Sequence, residues 1–169
     1  MPKIIENLEQ KLIEEARKQV KETGYRTMTI RSVASACGVG VGTVYNYFTS
    51  KDALVAAFML EDWKKCILSI EEMSNSSGQP KDVVRCIYDQ LLFYSDCHRS
   101  IFQDSAAAST FAGAFSRYHA ILRQQLAEPL QKFCIDNFCA EFIAESLLTW
   151  TMAGKDFDEI YGVIGKLFL

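Results

Sequence analysis

Thr29–Leu54, TIRSVASACGVGVGTVYNYFTSKDAL, reads as two short helices about a tight turn, with a third helix behind them. Thr29 suits a helix N-cap, and Ile30, Val33, Ala34 and Cys37 follow at the spacing of one helical face. Gly38 supplies a left-handed stop, because a residue without Cβ takes positive φ at little steric cost. Val39 is expected as a buried turn residue, and a second helix is expected from about Gly40 to Tyr47. Ser50 opens the third, with Lys51 at its first position. This is the layout of a helix-turn-helix, whose second helix lies in the DNA major groove.

Upstream, Ile4, Ile5, Leu8, Leu12, Ala16 and Val20 keep a three-to-four residue rhythm until Gly24. This helix completes a three-helix head. Downstream, a pattern from Ser50 to about Met73 connects head to body, and Ser74–Pro80 is the clearest loop. A helix from about Pro80 to Cys97 carries Val84, Ile87, Leu91 and Tyr94 on one stripe. His98–Thr110 reads as a short helix and a break, and the following helix is interrupted near Pro129. Phe142–Met152 is apolar nearly all round, which implies burial on more than one side. Gly154 stops it, Asp156 and Glu159 form a capping-box pair, and Phe157, Ile160, Tyr161, Ile164, Leu167 and Phe168 make a final stripe. No segment has a strand period. The expected fold is all-α: a helix-turn-helix domain at 1–50 and a helical bundle at 51–169.

The 169 residues suffice for a real core, and the formal charge of -3 excludes a uniformly basic binder. Residues 1–54 hold eight Lys/Arg against six Asp/Glu (+2), and residues 55–169 hold ten against fifteen (-5), which together give -3. The weak basic excess therefore sits on the head. No targeting segment is visible and the longest apolar run is too short for a bilayer, so a cytoplasmic location is expected. The six cysteines lack C-x-x-C spacing and read as reduced, buried thiols. His98 and His119 share no metal-ligand spacing with them, and no cofactor is implied. Gly38-x-Gly40-x-Gly42 has no preceding strand and the wrong spacing for a nucleotide loop. No catalytic constellation stands at useful spacing, so an enzyme is not expected.

Gly38-Val39 through Leu54 resembles the TetR family of bacterial repressors, whose signature runs G-V-x-x-x-T-[LV]-Y-x-[YH]-F-x-[SN]-K-x-x-L. The Gly24-Tyr25 turn and the Thr before the second helix are similar as well. The resemblance covers about residues 5 to 55. It implies a homodimeric transcriptional regulator that represses at a palindromic operator and responds to a small apolar effector. An adaptor that has lost its DNA contacts is the alternative. Gly40 and Gly42 depart from the pattern, cost about 1 kcal/mol each against Ala in a helix, and contribute no side chains to base readout. Sequence preference then leans on DNA shape.

Tyr45 and Tyr47, two residues apart, cannot share one core stripe, so at least one should be exposed. Lys51 at a helix start has the wrong charge for the helix dipole, which a phosphate would offset. The resemblance assigns all three to the DNA backbone. Val41, Thr43 and Asn46 face the groove, where Asn46 suits adenine and the methyls suit thymine. Thr29 and Arg31 complete the DNA-binding set, Arg31 for a guanine or phosphate and equally readable as a solvated arginine. In the body, Trp63, Tyr94, Phe111, Phe115, Tyr118, His119 and Trp150 are ordinary core by spacing and an effector cavity by resemblance. The last two helices, about 140–169, would pair with those of a second copy in a four-helix bundle.

Overall fold

The structure, a computed structural model, describes residues 7–169, except for the side chains of 108 and 110–118. Ile4 and Ile5, expected on the first helix, lie outside the described residues. The order is α1 (Leu8–Thr23), α2 (Ile30–Ala36), α3 (Val41–Tyr45), α4 (Lys51–Ser76), α5 (Pro80–Cys97), α6 (Arg99–Phe102), α7 (Ser105–Ala127), α8 (Asn137–Met152) and α9 (Phe157–Ile164). Short 3-10 turns follow α7 at Glu128–Phe133 and α9 at Gly165–Leu167. Among the described residues there is no strand. The fold is all-α.

Contacts divide the chain into two units, residues 1–62 with 98–110, and residues 63–97 with 111–169. In the first, Leu12, Ala16 and Val20 of α1 are buried, as are Val33 and Ala34 of α2, Val44 of α3, and Leu54, Val55 and Phe58 of α4. The α2–α3 turn closes as a Schellman motif. Val39 N–H donates to the Ala34 carbonyl (3.0 Å) and Gly38 N–H to that of Ser35 (3.1 Å), with Gly38 at φ 69°. Val39 is only half-buried, because its amide is spent on closing this motif at the head's edge. Thr29 accepts from the Ser32 amide at 3.0 Å and donates its own amide to Ser32 Oγ at 3.0 Å, a reciprocal cap. His98, at the start of α6, is buried against Phe58 with its Nε2 3.4 Å from an Asp62 oxygen.

The second helix of the motif is shorter than the expected Gly40–Tyr47. Gly40 is an extended N-cap (φ -73°, ψ 149°), Asn46 is the C-cap, and Tyr47 donates its amide to the Val44 carbonyl at 3.0 Å. Two glycines at its start leave little intrinsic helicity, and Val44 and Phe48, both buried, fasten it to the head.

In the second unit, α5 and α8 carry the core, with Ile87 and Leu91 of α5, Ile143 and Leu147 of α8, and Ile160 of α9 at or below 5% exposure. Two expectations are corrected here. Ser74–Ser76 are helical rather than loop, since Ser74 donates its hydroxyl to the Pro129 carbonyl (2.9 Å) and Lys132 donates to the Ser74 carbonyl. The last helix stops at Ile164, where Gly165 follows and Leu169 N–H is drawn to the Phe133 carbonyl at 3.1 Å. Leu167 is thereby left 40% exposed. The Asp156–Glu159 capping box and the Gly154 stop, at φ 81°, are present. α8 is not buried all round: Phe142 and Trp150 are each 50% exposed.

A Cβ built on Gly42 meets nothing within 4 Å. Gly42→Ala is therefore expected to stabilise the head by about 0.4–1 kcal/mol, through the unfolded chain and helix propensity. A thermal melt followed by circular dichroism checks this. A lowered Tm would mean that the α3 backbone is not helical at this position.

Candidate nucleic-acid interface

The interface is built on the turn after α1. Gly24, at φ 87°, bends the chain so that Tyr25 is buried. The first two residues of α4 then grip this turn. The Lys51 ammonium donates to the Tyr25 carbonyl and lies 4.1 Å from the centroid of its ring, while the Tyr25 hydroxyl donates to the Asp52 carboxylate. Ser50 caps α4 by accepting the Ala53 amide at 3.0 Å. Burial pushes the Lys51 ammonium below its ordinary value, against the pull of Asp52 and Asp104. Burial, with the hydrogen bond to Asp52, pushes the Tyr25 phenol well up.

Beside this anchor lies an open cleft of about 530 Å³. Met28–Arg31 form one wall, Val41 and Tyr45 of α3 another, and Thr49–Asp52 the third. Of the residues expected to bind DNA, the cleft brings together Thr29, Arg31, Val41, Tyr45 and Lys51. Thr43, Asn46 and Tyr47 are outside its lining. Tyr45 is 51% and Tyr47 47% exposed, so both hydroxyls face outward. Asn46 and Arg31 are exposed, and Val41 and Thr43 half-buried. The Thr29 hydroxyl is occupied by the α2 cap. Lys51 differs from expectation in one respect: its charge is offset within the chain, by a carbonyl, a ring and a neighbouring carboxylate. Sequence reasoning missed Met28, Ile30, Thr49, Ser50 and Asp52 as lining, and the only signal for Asp52 was its adjacency to Lys51.

The effector residues are scattered. Trp63 donates its indole N–H to Gln125 at 2.8 Å and meets Tyr94 edge-on, with centroids 5.4 Å apart. His119 lies 3.6 Å from Glu145 and is 45% exposed at its side chain. Trp150 lines a surface groove between α8 and α9. Phe111, Phe115 and Tyr118 lie outside the described residues. The cysteines stand as thiols, but only Cys66 and Cys134 are buried as expected, while Cys37, Cys86 and Cys139 are half-buried and Cys97, near the end of α5, is exposed. Cys134 is pushed up to about 12 by burial and its neighbour Cys139, which favours the protonated thiol. Among the described residues no helix is long and apolar enough to cross a membrane.

Residues 12–58, which contain the anchor, the turn and α3, match the family model described as bacterial regulatory proteins, tetR family. Over these residues the chain is similar to the TetR family. It is 27% identical over 62 residues to the HTH-type transcriptional regulator UidR of Escherichia coli K12. That match covers 37% of this chain and 32% of UidR, so it spans about a third of the relative's length. Among solved structures, it is similar to the TetR family repressor AlkX of Dietzia sp. strain DQ12-45-1b. That likeness has a TM-score of 0.63 and 17% identity, covering 94% of this chain and 92% of AlkX. The fatty acid degradation regulator FadR of Bacillus halodurans gives 0.53 and 20%, covering 94% and 91%. At these identities the likeness to AlkX and FadR is one of fold, and it reaches beyond residue 58.

Tyr25→Phe is expected to destabilise this TetR head by about 1–2 kcal/mol, as the Asp52 carboxylate loses its donor. The sign with pH follows from the raised phenol value. The contribution is whole below the free tyrosine value near about 10 and is lost as pH climbs through the folded value. Melting curves at rising pH should therefore show the difference between wild type and Tyr25→Phe shrinking only in strong alkali. A difference already lost at neutral pH, where phenol and carboxylate both hold the states this bond needs, would contradict this account.

Proposed function

We propose that this protein is a DNA-binding transcriptional regulator, a homodimeric repressor released from a palindromic operator by a small, largely apolar effector. The match of residues 12–58 to the family model of bacterial regulatory proteins supports this reading. The observation that carries the reading is the outward presentation of Tyr45, Asn46 and Tyr47 beside the Lys51 cleft, while Val44 and Phe48 hold α3 from behind. Tyrosine hydroxyls and the remaining N–H groups of Lys51 are donors suited to phosphate oxygens, which set register on the duplex. Asn46 suits adenine, and Val41 and the Thr43 methyl suit thymine.

The dimer is supported by the free faces of α8 and α9. Phe142, Trp150 and Val163 are 50%, 50% and 66% exposed around a groove of about 360 Å³ backed by Ile160 and Ile164. A contiguous apolar patch of this kind marks an association surface, and a two-fold axis would pair it with itself. Two heads placed about 34–36 Å apart would then meet successive half-sites on one side of the duplex. An effector that binds a splayed dimer better would release DNA by that difference in affinity.

Selection from a random duplex pool at two salt concentrations tests the DNA reading. A palindrome is expected to be enriched, and Tyr45→Ala and Lys51→Ala to lose it. Lys51→Ala should also flatten the salt dependence by about 0.9 in log–log slope per subunit. A folded dimer that enriches no sequence would overturn the reading in favour of an adaptor. For the interface, Trp150→Glu is expected to give monomer in sedimentation at concentrations where the wild type is dimeric. An unchanged dimer would place the contact elsewhere.

A further inference from the structure

We propose that Asp104 sets the DNA affinity of the head, because its carboxylate occupies Arg26 in place of a DNA phosphate. The inference rests on the DNA-binding reading above. Arg26 belongs to the turn held by Lys51 and Asp52, two residues before the cleft wall begins at Met28. Its guanidinium Nε lies 2.7 Å from Asp104 Oδ2, and its Nη2 donates to Ser105 Oγ at 3.0 Å. The Arg26 side chain is 69% exposed, so it contributes little to the core and stands at the surface that DNA would approach.

The two oxygens of Asp104 do different work. Oδ1 accepts the amides of Ala106 and Ala107, at 2.9 and 3.1 Å, and so caps α7. A neutral oxygen would cap as well, since Asn and Ser serve this position as readily as Asp. The cap therefore does not explain the negative charge. Oδ2 holds Arg26 instead, and the capping amides together with Arg26 keep the carboxyl below the usual carboxylate range, ionised at neutral pH. The same charge reaches Lys51 and Tyr25.

A guanidinium presents the same planar fork to a carboxylate and to a phosphate. On the free head two of its donor nitrogens are engaged, Nε by Asp104 and Nη2 by Ser105. For that edge of Arg26 to serve the DNA backbone a phosphate must displace Asp104, and a phosphate on the remaining N–H groups would still stand beside its charge. Both effects weaken backbone binding on every sequence alike. Backbone contact carries non-specific binding, so the carboxylate raises the ratio of specific to non-specific occupancy without touching a base.

The test uses the full chain and a mixed-sequence DNA duplex, titrated across a salt series. Asp104→Asn keeps the cap and removes the charge, and Asp104→Ser does the same should the first variant fold poorly. Either is expected to bind roughly 2–5-fold tighter at low salt, the worth of one exposed ion pair. The log–log salt slope should steepen by about 0.9 for each phosphate newly engaged. Arg26→Gln should abolish the gain, so that the Arg26→Gln/Asp104→Asn double variant binds no better than Arg26→Gln alone. Unchanged or weaker binding by folded neutral variants, with salt-dependent binding by the wild type, overturns the role of Asp104 and leaves the DNA reading standing. A gain that persists without Arg26 overturns the mechanism. A wild type that binds no duplex at any salt overturns both.

Discussion

Lys51 is held under two penalties at once. It opens a 26-residue helix, where the dipole is positive, and it is partly withdrawn from water. The carbonyl and ring of Tyr25 and the carboxylate of Asp52 offset these penalties, and in doing so they bind the α1–α2 turn to the first turn of α4. The turn leads directly into Met28–Arg31, one wall of the cleft, and Asp52 closes the opposite side. α3, with five residues, is too short to stand alone and depends on that frame through Val44 and Phe48. The recognition surface is thus a tertiary property. It is set by one half-buried ammonium and its acceptors more than by any helix propensity.

This arrangement also explains how a chain of net charge -3 can serve as a DNA reader. Two cations at or beside the cleft have a carboxylate close by, Asp52 for Lys51 and Asp104 for Arg26, whereas Arg31 stands exposed in the cleft wall. Attraction to a duplex would then rest on a few groups, and the acidic remainder would discourage adhesion elsewhere. With glycine at 40 and 42, α3 would offer Val41, Thr43 and Asn46 to bases and little more, on the DNA-binding reading proposed above. Discrimination by so few side chains puts weight on the width and deformability of the operator.

What could be read in the sequence was whatever a residue's own neighbours decide. Gly38 and Gly154 end helices by their φ, Thr29 and Asp156 begin them by accepting an amide three residues on, and each is found where the local chemistry puts it. The misreadings all involve partners far along the chain. Ser74 looks like a loop residue until its hydroxyl meets Pro129, and the final stripe looks continuous until Leu169 pairs with Phe133. Nothing local to Lys51 announces the Tyr25 carbonyl 26 residues upstream, and nothing local to Arg26 announces Asp104. The aromatic residues of the body are hard to read for the same reason. Only packing separates Trp63, hydrogen-bonded and buried, from Trp150, which lies open on α8.

The α8 face bears on stability as well as on assembly. Phe142, Trp150 and Val163 remain in water on a single chain, although full burial of such side chains contributes about 1.5–3 kcal/mol each. Set against the marginal stability of any domain of this size, that is a large share left unused by the protomer. A partner covering this face would stabilise the folded chain by mass action, so fold and assembly would strengthen together with concentration. The Lys155–Glu159 ion pair, at 2.9 Å on the rim of the same groove, suits such a seam, being polar where water stays and absent from the apolar centre. An effector acting on a dimer of this kind would not need to create a new interface. It would need only to bind one arrangement of an existing interface more tightly than another, and its power to release DNA would be bounded by that difference.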